Sequence, residues 1–548
     1  MARNGTAFDA LIATQMCINA INSMSSGIGG GFMAICYDSR AKDTFTINAR
    51  EVAPAYTSTN MYKDMTEDDK NFGPLSIGIP LEMKGLHLLY QKYGTPGLWK
   101  ELIDPTIKLI SNGTPVFNVM ERTLKEKHYF GKILEKDYPY LKNFKEMIYN
   151  PMTNETYKVG EFMPRNNFVK FLEQIRDHPE QMWQSGPANS INDLLAKDLN
   201  DFGVSITPEE IANAKPVLGK SEKIDLIKSK YQRDNLVLHA VGPPSSGTII
   251  GLVMNILAHY NYTHENIFEK CGTSTAFYHR FLEAMKVGLN LKRDFTDLTF
   301  RDNEKTQEAI SKTKDAVFAK KMKEKIVDSI VSETILDKNH GDQGTGQVTV
   351  LDHFGNACSS TSTINYPFGS LIVGKRTGVI FNNQLNDFST PANTFGKDES
   401  SINTENLIEP GKRPLSSTSP IIITDKDENQ LRIIAGAIGG TKIPSALTHV
   451  LFLNLYLGMD LKEAIDMYRL YPVISSENIV KYERNFSPDV LKNLHRIGHN
   501  LELHKTSPST VVAIEVEPKR NPYIGPNGSK FKIKANSDYR KGASVAGF

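Results

Sequence analysis

Two β-prone runs, residues 345–351 and 357–363, flank the five-residue loop Asp352-His353-Phe354-Gly355-Asn356 and point to a hairpin. The loop length sets the register: with Leu351 opposite Ala357, Thr345 falls opposite Thr363. Directly opposed Cβ atoms lie about 4.5–5.5 Å apart, so two hydroxyls stand side by side where the hairpin opens. The first hydroxyl lies in Asp342-Gln343-Gly344-Thr345-Gly346, where small residues leave the backbone open to attack. A hydroxyl directly after its own peptide carbonyl can cut the chain ahead of itself and keep the freed amine as a base. The second run, Ala357-Cys358-Ser359-Ser360-Thr361-Ser362-Thr363-Ile364-Asn365, is rich in hydroxyls. Threonine also favours ordinary strands, and spacing alone does not separate a structural Thr–Thr pair from a catalytic one.

Around this hairpin the pattern is layered. A chain of 548 residues buries a large core, and a prior of about 150 residues per domain gives three or four domains unless one large α/β fold absorbs them. Residues 7–21 have helical apolar spacing, 25–32 form a glycine-rich break, and 32–37 and 44–48 read as strands. From about 85 to 335 amphipathic helical patterns dominate, as at 278–291, and the charged span 312–340 reads as an exposed linker. Beyond Thr345, strands are expected at 347–351, 357–363, 378–381, 420–424 and 431–435, with helices returning at 444–470. Strands stacked between helical layers predict an α/β sandwich.

Composition excludes several partners. The 64 basic and 62 acidic residues nearly cancel, so no nucleic acid or acidic membrane is called for. The run Lys320-Lys321-Met322-Lys323-Glu324-Lys325 reads as a solvated helix face. Cys17, Cys36, Cys271 and Cys358 lie far apart with no C-x-x-C or histidine cluster, which argues against structural zinc. One cysteine pair could still bond in an oxidising compartment. Sequons at Asn4, Asn112, Asn154, Asn261, Asn485 and Asn527 lean toward export and a glycoprotein. No apolar run reaches the roughly 18 residues of a membrane helix. Residues 25–32 lack the Lys-Ser/Thr end and the strand–loop–helix order of a phosphate loop.

Further motifs accompany Thr345 and Thr363: 362–365 with 368–370, 378–389, 410–417 and 436–441, and in the first half 26–31 and 47–54. In these residues the chain resembles the γ-glutamyltransferases (glutathione hydrolase proenzymes). The matching residues in the second half are Thr345, Ser362-Thr363-Ile364-Asn365, Phe368-Gly369-Ser370, Gly378-Val379-Ile380-Phe381-Asn382-Asn383-Gln384-Leu385-Asn386-Asp387-Phe388-Ser389, Pro410-Gly411-Lys412-Arg413-Pro414-Leu415-Ser416-Ser417 and Gly436-Ala437-Ile438-Gly439-Gly440-Thr441. In the first half, Ser26-Gly27-Ile28-Gly29-Gly30-Gly31 and Ile47-Asn48-Ala49-Arg50-Glu51-Val52-Ala53-Pro54 match equally well. The resemblance implies a four-layer αββα sandwich of the N-terminal-nucleophile (Ntn) hydrolase type. It also implies self-cleavage between Gly344 and Thr345 into a large subunit, 1–344, and a small subunit, 345–548, held together without a covalent bond. A leader or membrane anchor is expected ahead of the matching start, which makes the mature protein extracellular or cell-surface. Cys17 matches a position whose partner in some relatives lies in that leader, so it is expected to be unpaired here.

Roles follow from the same resemblance, residue by residue. Thr345 is the nucleophile and its α-amine the base, and Thr363 orients that amine. Arg50 grips the substrate α-carboxylate, with Ser416 and Ser417 adding hydroxyls. Asp387, Gln384 and Asn365 hold the ammonium, and the amides of Gly439 and Gly440 form the oxyanion hole. The partners implied are small molecules: glutathione and other γ-glutamyl compounds, with amino acids or dipeptides as acceptors. No cofactor or metal is implied. Gln347 departs from the histidine that relatives often carry two residues after the nucleophile. Two alternatives remain, an Ntn acylase of other amide specificity and a secreted member that binds without catalysis.

Overall fold

The computed structural model describes residues 5–125, 133–228, 235–268, 271–332, 344–391, 402–473, 478–504, 509–518, 531–542 and 544–547. Among them, two antiparallel sheets lie face to face. The first contains β1 (Gly31–Asp38), β2 (Asp43–Ala49), β3 (Val217–Lys220), β6 (Gly344–Leu351) and β7 (Ala357–Asn365), in the order β6-β7-β1-β2-β3. The second contains β4 (Glu222–Leu226), β5 (Leu236–Ala240), β8 (Ile421–Asp425), β9 (Leu431–Ile438), β10 (Thr510–Pro518) and β11 (Phe531–Ser537), in the order β11-β10-β9-β8-β5-β4.

Period-two alternation assigns each strand residue to one layer or the next. In β1, Phe32, Ala34 and Cys36 join Leu11, Ile12 and Met16 of α1 (Ala7–Ile21) and Leu86 of α2 (Glu82–Tyr93). Met33, Ile35 and Tyr37 point the other way, onto Ile422, Ile434 and Val516 of the facing sheet. In β8, Ile421 and Ile423 pack with Ile249 and Val253 of α3 (Gly247–Ala258), Phe281 of α4 (Cys271–Lys292) and Leu447 of α5 (Ile443–Leu455). Helix, sheet, sheet and helix therefore succeed one another, which is the expected αββα sandwich.

The hairpin anchors the first helical layer. Thr6 and Asp9 form a reciprocal capping box at the start of α1. The Asp352 carboxylate in the β6–β7 loop accepts from the Ala7 amide at 2.8 Å, adding negative charge at that helix N-terminus. Across the β1–β7 ladder, Cys36 lies directly opposite Cys358 and the two are disulfide-bonded, while Cys17 and Cys271 remain thiols.

Several expectations need correction. Residues 378–381 do not form a strand; single bridges pair Ile380 with Val373 and Phe381 with Gly29. The span 312–340 is not simply a linker, because helices Glu304–Lys314 and Ala316–Lys325 occupy its first half; residues 333–340 lie outside the described residues. Strands β3, β4 and β5 interrupt the region read as helical, and β10 and β11 were not anticipated. The 444–470 region is helical at Ile443–Leu455 and Leu461–Asp466, as expected.

Ile422 is fully buried between the sheets. Ile422→Ala should cost about 2–5 kcal/mol of unfolding free energy, measured by urea denaturation. An unchanged midpoint would mean that the inter-sheet layer is not packed around it.

Candidate active site

The β6–β7 register is the expected one from Leu351↔Ala357 to Gly346↔Ser362, then shifts, so that Gly344 pairs with Asn365. Thr345 sits at this irregularity, facing both Thr363 and Ile364 rather than Thr363 alone. Asn365 is left-handed (φ 73°), a conformation asparagine tolerates better than most residues. The shift turns the Thr363 hydroxyl onto the peptide ahead of Thr345: Thr363 Oγ1 donates to the Gly344 carbonyl at 2.5 Å and accepts from the Asn365 amide at 2.8 Å. Thr345 is buried, and its own Oγ1 makes no hydrogen bond among the described residues.

Glycine is needed on both sides of this threonine. A Cβ at Gly344 would lie 2.8 Å from the Asn365 carbonyl oxygen, and one at Gly346 would lie 2.8 Å from Ser26 Oγ. The glycine run before β1 works similarly, since a Cβ on Gly30 would meet the Thr363 carbonyl oxygen at 2.2 Å. That run lets backbones approach closely beneath the site.

A second cluster forms around Arg50, which is fully buried at the end of β2. Its Nη2 bonds to the Asp387 carboxylate and donates to the Leu415 carbonyl at 3.2 Å, and its Nε donates to the Pro414 carbonyl at 3.4 Å. These carbonyls immediately precede Ser416 and Ser417. Ser416 Oγ accepts from the Thr418 amide at 3.1 Å, and Ser417 Oγ accepts from Lys292 at 3.1 Å. The two clusters meet on the 3₁₀ turn Gln384–Asp387. Gln384 Nε2 reaches the Thr363 carbonyl at 3.5 Å, and Asn365 Nδ2 donates to the Asn383 carbonyl at 3.0 Å. The amide oxygens of Gln384 and Asn365 are buried without a donor among the described residues.

Gly439 and Gly440, both at positive φ, end β9 and lead into α5, so they lie near a helix N-terminus where backbone dipoles favour negative charge. Strand β9 lies against the hairpin: Ser359 Oγ donates to the Ala435 carbonyl at 2.8 Å, and the Gln347 amide covers Gly436. Gln347 is held by Ser359 at 2.9 Å and Thr361 at 2.7 Å.

Two supporting groups were not foreseen. Asn382 ties the loops together, donating to the Gly29 and Gly78 carbonyls and accepting from the Gly78 and Gln384 amides. Asn382 lies in the matching stretch 378–389, but no role was assigned to it there. Glu82, the first residue of α2, is buried beneath β7 and accepts from Gln15 and Asn19 at 2.6 Å and from Ser362 at 3.1 Å. Nothing local in the sequence marks it. His279, Glu283 and His499 also converge, their candidate ligand atoms within 4.8 Å of one another. His279 bonds to His499 and to the Val327 carbonyl, Lys286 neutralises Glu283, and His499 Nδ1 has no partner among the described residues.

Burial pushes the Glu82 carboxyl up to about 7, against the lowering effect of its three hydrogen bonds. Its folded value lies above its unfolded one, so its contribution is full below the unfolded pKa and is lost as pH rises through about 7. Every tenfold gain in proton affinity on folding is worth about 1.4 kcal/mol. Glu82→Gln, which keeps the shape of the protonated acid, should flatten the fall in stability between pH 5 and 7. Denaturant unfolding across that range measures it, and identical profiles for variant and parent would refute the assignment.

The family model described as gamma-glutamyltranspeptidase matches residues 1–548. The chain is 33% identical over 555 residues to Scoloptoxin SSD14 of Scolopendra dehaani, covering 100% of this chain and 89% of that protein. It is 31% identical over 533 residues to Glutathione hydrolase 3 of Arabidopsis thaliana, covering 94% and 77%. Cephalosporin acylase from Bacillus halodurans superposes with a TM-score of 0.77 at 19% identity over 97% of this chain and 92% of that one. Helicobacter pylori gamma-glutamyltranspeptidase does so with 0.51 at 23% identity over 60% and 88%. At these identities the two structures speak for the Ntn-type fold. With the family match running the whole length, the chain belongs to the gamma-glutamyltranspeptidase family.

Proposed function

We propose that this chain is a self-processing γ-glutamyltransferase and glutathione hydrolase whose nucleophile is Thr345. The observation that carries the reading is the hydrogen bond from Thr363 to the Gly344 carbonyl, beside a buried Thr345 hydroxyl with no partner among the described residues. The Thr345 oxygen attacks the Gly344 carbonyl carbon, the C–N bond breaks, and the proton passes to the departing nitrogen. Water then hydrolyses the ester, leaving subunits 1–344 and 345–548. Thr363 polarises the carbonyl during this step. Once the peptide is gone, its hydroxyl is free to orient the new amine.

That α-amine has an ordinary pKa of about 7.7–8.0, so it serves as a base near neutral pH. The incoming γ-glutamyl group carries an α-carboxylate and an α-ammonium, and the Arg50–Asp387 pair offers the complementary charges in one place. Glu51 also lies 3.7 Å from Arg50, and docking keeps each buried charge of this cluster beside an opposite one. The Gln384 and Asn365 amide oxygens accept ammonium protons, and Ser416 and Ser417 donate to the carboxylate. The Gly439 and Gly440 amides receive the oxyanion, where one donor is typically worth about 2.7–4 kcal/mol. The acyl-enzyme is resolved by water or by an acceptor amine.

Export to the extracellular space or the cell surface is part of the proposal. It is supported by the Cys36–Cys358 bond and by the exposure of the sequon residues Asn112, Asn154, Asn261 and Asn485; Asn4 and Asn527 lie outside the described residues. The likeness to cephalosporin acylase supports a second reading, an Ntn acylase of other amide specificity. The Arg50–Asp387 pair favours the first, because a simple acyl group has no use for it.

A chromogenic γ-glutamyl anilide tests the proposal: release from it supports γ-glutamyl transfer, and release only from other acyl amides supports the acylase. On a reducing denaturing gel the protein should give two fragments, the smaller beginning Thr-Gly-Gln-Val. Thr345→Ala should stay whole and lose about 10⁶-fold in kcat, the loss seen when a covalent nucleophile is removed. Scission and turnover surviving that change would end the proposal. Arg50→Lys keeps the charge but loses the planar fork, and should raise KM for the anilide about 10–100-fold with a smaller change in kcat.

A further inference from the structure

We infer that Cys36–Cys358 is an inter-subunit bond, so that the self-cleaved protein remains one covalent molecule; this rests on the cleavage proposed between Gly344 and Thr345. The two cysteines are 322 residues apart and lie on opposite sides of that peptide. They are directly opposed on β1 and β7, and both are fully buried in the layer facing α1. Scission at residue 344 removes the backbone connection between these strands but leaves the disulfide. This proposal departs from the expectation of two subunits held without a covalent bond.

The chemistry balances as thiol–disulfide exchange with a disulfide donor of the export pathway. The two thiols give up two protons and two electrons, the Sγ–Sγ bond forms, and the donor leaves as a dithiol. Once buried, neither sulfur is open to an attacking thiolate unless the layer opens, so the bond should survive the mild reductants that reduce exposed disulfides. The bond closes the β1–β7 ladder, which also sets Gly31 opposite Thr363. It therefore keeps the strand that carries Thr363 registered on the large subunit after the chain is cut. It also makes refolding of the mature protein an intramolecular event, with effective concentration in place of bimolecular encounter.

The test is a denaturing gel of the purified protein, alkylated under denaturing conditions to block exchange and run with and without reductant. One band at the whole-chain mass without reductant, resolving into two with it, is the expected result. Two bands in both lanes would overturn the tether while leaving the cleavage intact. One band in both lanes would overturn the tether together with the cleavage, since there would be no subunits to join. Peptide mapping without reduction should recover the Cys36 and Cys358 peptides linked, and finding both alkylated separately would refute the bond. In the double variant Cys36→Ala, Cys358→Ala, cleavage should persist with two bands in both lanes. Its denaturation midpoint should rise with protein concentration, whereas that of the parent should not.

Discussion

Strand β7 is buried from end to end and hydrogen-bonded on both edges, to β6 on one side and β1 on the other. Its neighbours come from the two halves of the chain that flank Gly344. Each of its faces does separate work. Ser359 reaches across to β9, Cys358 bonds to β1, and Ser362 meets Glu82 beneath α2. At its end, the shift in register swings Thr363 onto the Gly344 carbonyl. An interior strand with paired edges has little freedom to move, and such rigidity keeps the Thr363 hydroxyl within bonding distance of the Gly344 carbonyl.

The charged part of the site follows a different rule. Arg50 and Asp387 are both buried, and neither would be tolerated there without opposite charge and hydrogen bonds close by. Pairing with each other, with Glu51 3.7 Å from Arg50 and the Pro414 and Leu415 carbonyls close by, offsets the cost of burying them. A zwitterionic headgroup fits such a place because it brings both signs of charge at once. The neutral amide oxygens of Gln384 and Asn365 add acceptors to this buried region without adding net charge.

Much of the site was legible because hairpin arithmetic is local. A five-residue loop sets the pairing of the residues nearest it, and that pairing holds as far as Gly346 and Ser362. Helix α1, with its apolar spacing, was equally readable, as were β1, β2, β8 and β9. The short strands β3 to β5 were masked by the helical patterns around them. Strands β10 and β11 close the sheet edge beyond β9; the β-branched run Thr510-Val511-Val512-Ala513-Ile514 of β10 is itself a local strand signal.

Residue types and loop length alone determined that a threonine preceded by glycine opens a hydroxyl-rich hairpin, because turn geometry and side-chain chemistry act over a few residues. Tertiary structure alone decided that the Thr363 hydroxyl lies on the Gly344 carbonyl, since that depends on the register shift at Asn365. It also decided that Glu82 lies under Ser362, that Arg50 meets Asp387, and that Cys36 finds Cys358 across 322 residues. Those contacts depend on how separate layers dock, and sequence patterns that act over a few residues carry no record of docking.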